Sequence, residues 1–253
     1  MKILLIIPAY NEENCITKVI DELVERYPQY DYIIVNDGST DHTSEICHKS
    51  GYEIIDLPIN LGLAGAFQTG LKYAYLKNYD YAMQMDADGQ HDVCNIPAIY
   101  KALTTPDKDG TVPDIVLGSR FMEVSTEFPV SAAKKIAFVW FRFLLRRGTG
   151  KDFTDPTTGL QGLNWKTFLF YSKYNNFDDK YPDANMLMQM SLLGFHIREI
   201  PAVMHPRVTG VSMHSGLKPL VYMFRMTFSL MAVWIREKIL KMDVDKGYDL
   251  EKH

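Results

Sequence analysis

The chain has 253 residues, 47% hydrophobic and 23% charged, which excludes intrinsic disorder and is long enough to bury one sizeable core. Its net charge of −4 conceals a split: residues 1–100 hold 15 acidic and 6 basic side chains, whereas residues 101–253 hold 16 and 21. An acidic front and a basic back point to two kinds of partner, one that needs carboxylates and one that is itself anionic.

The first apolar run, Ile3–Ile7, is too short for a secretion signal and is followed by Pro8 and the polar Asn11-Glu12-Glu13, so it reads as a buried strand rather than a leader or membrane span. Further strands are predicted at Tyr32–Val35, Glu53–Leu57, Tyr79–Met85 and Ile115–Leu117, with helices at Glu12–Arg26, Thr43–Ser50, Gly62–Lys77 and Cys94–Leu103. The strands are apolar on consecutive residues, as expected when helices cover both faces of a largely parallel sheet. Asp41 and Thr43 suit helix N-caps, and Gly51 suits a C-cap. Cys15, Cys47 and Cys94 form no Cys-x-x-Cys pair; neither a disulfide framework nor a thiolate zinc site is expected, and a reducing cytoplasm fits. Beyond about residue 120, two strongly apolar helices, Ala132–Arg147 and Leu217–Met242, flank a stretch rich in Gly, Pro and Thr. One compact domain with a C-terminal extension is predicted.

In a parallel α/β sheet, ligands gather at the carboxyl ends of the strands. After the first strand comes Pro8-Ala9-Tyr10-Asn11-Glu12-Glu13, which is neither Gly-x-Gly-x-x-Gly nor a P-loop and so speaks against a dinucleotide dehydrogenase or a P-loop NTPase. After the second comes Asn36-Asp37-Gly38-Ser39-Thr40-Asp41, and after the fourth Asp86-Ala87-Asp88-Gly89-Gln90-His91. Two carboxylates two residues apart can share one hard divalent cation, with Gln90 as a neutral oxygen donor. Read alone, the same segment is equally an ordinary turn. His91, His205 and His214 lack His-x-x-x-His spacing and read as structural hydrogen bonders.

Taken together and in order, these three motifs with Asn60-Leu61-Gly62, Gly118-Ser119-Arg120-Phe121, Thr154-Asp155-Pro156-Thr157-Thr158-Gly159 and Arg207-Val208-Thr209-Gly210-Val211-Ser212 resemble the family 2 glycosyltransferases of GT-A fold. The likeness is to the dolichol-phosphate mannose synthase branch and its bacterial polyprenyl-phosphate relatives, and it covers roughly residues 2–215. It implies an α/β fold with a largely parallel central sheet and helices on both faces; the C-terminal amphipathic, apolar helix lies beyond its reach. Pro8, Tyr10, Glu12, Asp37 and Asp86 would hold the nucleotide sugar, and Asp86, Asp88 and Gln90 would hold Mg²⁺ or Mn²⁺. Asp88, Asp183, Arg120 and Arg207 would form the catalytic set, the arginines facing donor or acceptor phosphates through their planar forks. Where the family often has two aspartates, this chain has Asn36-Asp37, which leaves one carboxylate.

Lys134–Arg147 carries five bases and no acid, with an apolar stripe at Ile136, Val139, Trp140, Phe143 and Leu144, and reads as an interfacial helix. Lys134, Lys135 and Trp140, with Arg120 and Arg207, are expected on the acceptor and membrane side. Pro219–Ile235, interrupted by Arg225, falls short of the roughly 20 apolar residues that cross a bilayer. Asp183 has two readings of equal weight, catalytic base and N-cap of a helix over Asn185–Leu193.

The expectation is an inverting, metal-dependent transferase that moves a hexose from a nucleotide sugar to a polyprenyl phosphate, peripheral at the cytoplasmic face of the membrane. Its units would be a catalytic domain over residues 1–215, an apolar helix over 216–242 that meets membrane, a second copy or a membrane protein, and a charged tail over 243–253. No nucleic-acid partner is expected. A transferase acting on a glycan hydroxyl and an inactive membrane-recruiting scaffold are the alternatives; a nucleotidyltransferase would show a glycine- and base-rich loop after the first strand instead.

Overall fold

The computed structural model describes residues 1–122, 132–173, 176–178, 180, 182–205 and 218–242, with backbone alone for 132–134 and 218–220. Strand β1 (Ile3–Ala9) is buried at every position. Leu4 and Ile6 enter one apolar cluster, while Ile3, Leu5 and Ile7 enter a second. Successive side chains of a strand point to opposite faces, so this division means that both faces of the sheet are covered. Each such fully buried Leu or Ile contributes roughly 1.5–3 kcal/mol.

The chain alternates β1, α1 (Ile16–Arg26), β2 (Asp31–Asn36), α2 (Thr43–Lys49), β3 (Ile54–Asp56), α3 (Gly62–Leu76), β4 (Tyr81–Gln84), α4 (Asn95–Thr104) and β5 (Ile115–Ser119). There follow α5 (Ala132–Thr149), β6 (Gln161–Asn164), α6 (Trp165–Ser172), α7 (Ala184–Leu192), β7 (Ile197–Pro201), α8 (Lys218–Trp234) and a π-helical segment at Ile235–Leu240. The seven described strands are ordered β3-β2-β1-β4-β6-β5-β7, all parallel except β6, which runs antiparallel to β4 and β5. The carboxyl ends of β1, β2, β4 and β5 therefore share one edge, and the segment entering β6 arrives at that same edge. Helices α1, α2 and α4 line one face; α3 and α5–α8 supply the other.

The predicted strands and helices of the first half are present, with shifted ends. β1 continues through Pro8, opposite Val35, to Ala9. α1 starts at Ile16 rather than Glu12, because Asn11 takes a left-handed φ of 55° and residues 12–15 form a turn closed by Cys15 N–H on Glu12 O. His42, not Asp41 or Thr43, occupies the N-cap of α2; the Asp41 carboxylate instead accepts from Thr43 N–H (3.0 Å) and Thr43 Oγ1 (2.6 Å). Gly51, at φ 69°, follows the last residues of α2 as expected.

Three elements went unpredicted. β6 reads as polar, yet Gln161 lies buried with Nε2 donating to Gln84 Oε1 at 3.0 Å, and a side chain on Gly162 would meet Ile99 Cγ2 at 2.5 Å. α6 follows it without a break, capped by the Asn164 side chain accepting from Thr167 N–H. β7 is an edge strand whose Arg198 donates to Ala102 O and Thr105 O, which hides its strand character behind a charge.

Candidate active site

The loops after β1 and β2 are one structure. Asn11 N–H donates to Ser39 Oγ and its Oδ1 accepts from Thr40 N–H; Glu12 N–H donates to Thr43 Oγ1; Glu13 N–H donates to Asp41 Oδ2 while Glu13 Oε2 accepts from His42 N–H. Gly38, at φ 66°, passes so close to the neighbouring loop that a Cβ would lie 2.8 Å from Asn60 N. Asp37 is buried, its Oδ1 accepting from Leu61 N–H at 2.7 Å, and burial raises its pKa despite that bond. Asn36 is buried as well: its Nδ2 donates to Asp56 Oδ1 at 2.6 Å, and its Oδ1 accepts from Ser39 N–H. The amide that replaces a carboxylate here thus pairs with an acid that closes the next strand. Of the residues expected to hold nucleotide, Tyr10 is exposed beyond β1, Glu12 is half-buried, and Pro8 lies inside the strand.

After β4 the chain turns sharply. Asp88 Oδ1 accepts from Gln90 N–H at 3.0 Å, and Gly89 stands at φ 75°. Asp86 N–H donates to Nδ1 of the buried His91, whose Nε2 lies 3.5 Å from Asp86 Oδ2, so His91 braces this carboxylate. His205 N–H donates to Gln90 O, and Gln90 Nε2 reaches back to His205 O, pinning the turn to the strand-like segment after β7. Asp86 has 29% of its side chain exposed, while Asp88 is 6% exposed. Among the described residues no three His, Cys, Asp or Glu side chains are gathered as a ready metal cluster. Asp86, Asp88 and Gln90 nonetheless carry hard oxygen donors of the kind Mg²⁺ and Mn²⁺ take.

Arg120, just past β5, is clamped. Its Nε and Nη2 donate to Asp155 Oδ2 and Oδ1 at 2.6 and 2.7 Å, and Nη2 also reaches Thr157 Oγ1. Asp155 is fully buried, its own N–H donating to Glu199 Oε1, and the guanidinium lies over the rings of Phe121 and Phe138. Asp155, which the sequence left without a role, is the partner that holds Arg120. The segment entering β6 joins the two halves of the site: Asp155 and Thr157 hold Arg120, Thr158 lines a cavity with Asp183, and a Cβ on Gly159 would lie 3.8 Å from Asp86 Oδ1.

Asp183 occupies the N-cap position of α7 but makes no side-chain cap bond. Its Oδ2 accepts from Tyr222 Oη of α8 at 2.7 Å. Burial pushes its pKa up to about 6, and the Tyr222 hydroxyl and the Arg120 charge moderate that rise. Asp183 thus lies within electrostatic reach of Arg120.

Helix α5 turns most of its apolar stripe outward, as an interfacial helix would. Ala137, Phe141 and Leu145 are buried, Leu144 is half-buried, and the stripe Ile136, Val139, Trp140 and Phe143 faces solvent. Trp140 Nε1 donates to Thr227 Oγ1, joining this face to α8, where Val221, Phe224, Phe228 and Met231 are exposed too. Lys135, Arg142, Arg146, Arg147 and Arg225 are exposed on the same two helices. No helix among the described residues is long and apolar enough to cross a membrane. Lys134 belongs to α5, but its side chain is outside the described residues, as are Arg207 with its motif through Ser212, His214, Tyr181, Leu217 and the tail 243–253.

Residues 4–162 match the Glycosyl transferase family 2. The chain belongs to that family. An undecaprenyl-phosphate mannosyltransferase of Micrococcus luteus is 27% identical over 228 residues, 85% of this chain and 88% of that protein. The UDP-N-acetylglucosamine–dolichyl-phosphate N-acetylglucosaminyltransferase of Methanococcus voltae is 31% identical over 179 residues, 64% and 69% of the two chains. An uncharacterized protein of Methanocaldococcus jannaschii is 30% identical over 165 residues, and the chain spans 65% of its length. In fold, glucosyl-3-phosphoglycerate synthase from Mycobacterium tuberculosis bound to phosphoglyceric acid matches with a TM-score of 0.68 at 20% identity, over 92% of this chain and 79% of that one. Its complex with Mn²⁺, UDP and phosphoglyceric acid matches at 0.64 and 21%, over 92% and 78%. The family 2 glycosyltransferase thus has the GT-A architecture, a mostly parallel sheet between two helical layers.

Proposed function

We propose that the protein transfers a hexose from a UDP- or GDP-linked donor to a polyprenyl phosphate, with inversion, at the cytoplasmic face of a membrane. The observation that carries this reading is the exposed apolar face of α5 and α8, set among basic side chains, on the helices that touch Arg120 and Asp183. Such a face suits an acceptor delivered from lipid, and the bases suit anionic headgroups. Relatives named for undecaprenyl, dolichyl and polyprenol phosphates support it.

In this reading the knitted loops after β1 and β2 receive the nucleoside near Tyr10, Glu12 and Asp37. Asp86, Asp88 and Gln90 would hold Mg²⁺ or Mn²⁺, which supplies neutralisation of the departing diphosphate. Arg120, aimed by Asp155, orients phosphate oxygens, and Arg207 adds a second cation. The lipid phosphate attacks the anomeric carbon in line, opposite the leaving group. A phosphate monoester has a second pKa of roughly 6, close to the about 6 of Asp183, so Asp183 takes up the last acceptor proton when the monoanion binds. Residues 1–215 form the catalytic unit, and residues 216–242 form the membrane-facing element. The same raised pKa would suit general-base transfer to a glycan hydroxyl, which is the second reading.

The test is a panel of UDP- and GDP-sugars offered with a short polyprenyl phosphate and Mg²⁺ or Mn²⁺, read by mass. A product one hexosyl residue heavier than the lipid phosphate is expected. Donor consumption with the lipid phosphate unchanged would contradict the reading.

A further inference from the structure

Helix α8 has two faces of different chemistry. Val221, Phe224, Phe228 and Met231 point outward, whereas Tyr222, Met226, Ser229 and Leu230 recur at helical spacing on the inner side, with Met226 and Leu230 in the core. The two inner polar groups both end on the start of α7, at its N-cap Asp183 and at Asn185 in its first turn. Tyr222 Oη donates to Asp183 Oδ2 at 2.7 Å. Ser229 Oγ accepts from Asn185 Nδ2 at 2.9 Å, and Asn185 Oδ1 in turn accepts from the N–H groups of Asp183 and Met186 at 3.0 and 2.9 Å. The Tyr222 ring stands edge-on to Phe141 of α5, centroids 5.8 Å apart, so packing fixes where its hydroxyl lies. The Asp183 carboxylate is thereby turned away from the end of α7 and toward α8.

We propose that Tyr222 is a positioning residue that holds the Asp183 carboxylate on the acceptor side of the site, so that the helix with the apolar outer face also sets the geometry of the reacting group. The inference rests on the acceptor reading above and extends it to a residue outside every motif. Among the described residues, the titratable and charged groups acting on Asp183 are the Tyr222 hydroxyl from α8, Arg120 beyond β5, Asp155 before β6 and Asp178 before α7. A phenol donating to a carboxylate favours its ionised form, and its removal lets the proton bind more tightly.

The experiment compares wild type with Tyr222→Phe, which keeps the ring, and with Asp183→Asn and the double variant. The Asp183 carboxyl is followed by ¹³C NMR, its signal identified by loss in Asp183→Asn, alongside turnover on donor and short polyprenyl phosphate. Tyr222→Phe is expected to raise the Asp183 titration midpoint by about half a pH unit or more. It should also lower kcat about tenfold with donor KM within about twofold, and the double variant should be no more than about twofold slower than Asp183→Asn alone. An unchanged midpoint, a kcat within about twofold of wild type, or losses that multiply in the double variant would each overturn the proposal. If wild type makes no polyprenyl-phosphate product, the acceptor reading fails, while the carboxyl titration still decides the role of Tyr222.

Discussion

The loops after β1 and β2 are tied to each other by side chain to backbone bonds that span 28 to 31 residues, and they bury Asn36 and Asp37. The region around β5, α5 and α8 instead buries single long-range polar pairs, Arg120 with Asp155 and Asp183 with Tyr222, beneath an outer surface of exposed Phe, Trp and Val. The first is a rigid polar frame suited to a small, polar ligand held by many bonds. The second is a surface suited to a large apolar ligand, with only a few charges placed where chemistry is needed. The difference teaches that the front-half acids are not all alike: Glu13, Asp37 and Asp41 hold loops together, whereas Asp21, Glu22, Glu25 and Glu45 lie on the surfaces of α1 and α2.

The largest expected effect lies where the two regions meet. Asp88→Ala should lower turnover about a thousandfold or more while leaving thermal unfolding within a few degrees, and near-normal turnover in a purified-enzyme assay would remove the metal assignment. Asp155→Ala strands the Arg120 guanidinium in a buried setting and should cost about 3–5 kcal/mol in urea unfolding. A cost below about 1 kcal/mol would show that Arg120 is not held as described. Phe143→Glu with Phe228→Glu alters two outward residues, 56% and 67% exposed. Sedimentation with anionic vesicles should fall about tenfold or more, with little change in the unfolding midpoint. Binding that ignores both the substitutions and salt would break the contrast between the two regions.

Smaller effects probe the polar frame. Asn36→Asp replaces the donor to Asp56 with a second carboxylate and should destabilise the fold by about 1–2 kcal/mol, seen as a lower Tm at pH 7 that recovers as pH falls. Asp183 gives the wild-type chain a pH dependence of the same sign. Its folded-state pKa stands at about 6, above the ordinary 3.8, so folding takes up a proton between those values and stability declines as pH rises through them. Asp183→Asn should abolish that decline and raise stability at pH 7 by about 1 kcal/mol, or roughly 2–4 °C in Tm.

The two regions also differ in how far the sequence revealed them. The parallel strands of the first half were legible because their apolar runs are continuous and their motifs sit at strand ends. β6 was hidden because its burial depends on a Gln161–Gln84 pair and on the absence of a side chain at Gly162, neither of which is a hydrophobic signal. Arg120 was found by its motif, but its partner Asp155 lies 35 residues away and Tyr222 lies 39 from Asp183. Such pairs are set by the chain path, not by local spacing. On α5 the aromatic and basic composition pointed to an interface, and the Trp140 stripe is exposed while Ala137, Phe141 and Leu145 pack into the core from the other side.

The central claim is that the acceptor oxygen belongs to a lipid phosphate. The most direct measurement offers the protein, with its donor and Mg²⁺ or Mn²⁺, an equimolar mixture of a short polyprenyl phosphate, the matching polyprenol and a soluble glycan, and reads all products by mass. Glycosylation of the phosphate with alcohol and glycan untouched is the predicted result. Sugar appearing on a hydroxyl while the phosphate remains unmodified would contradict the account.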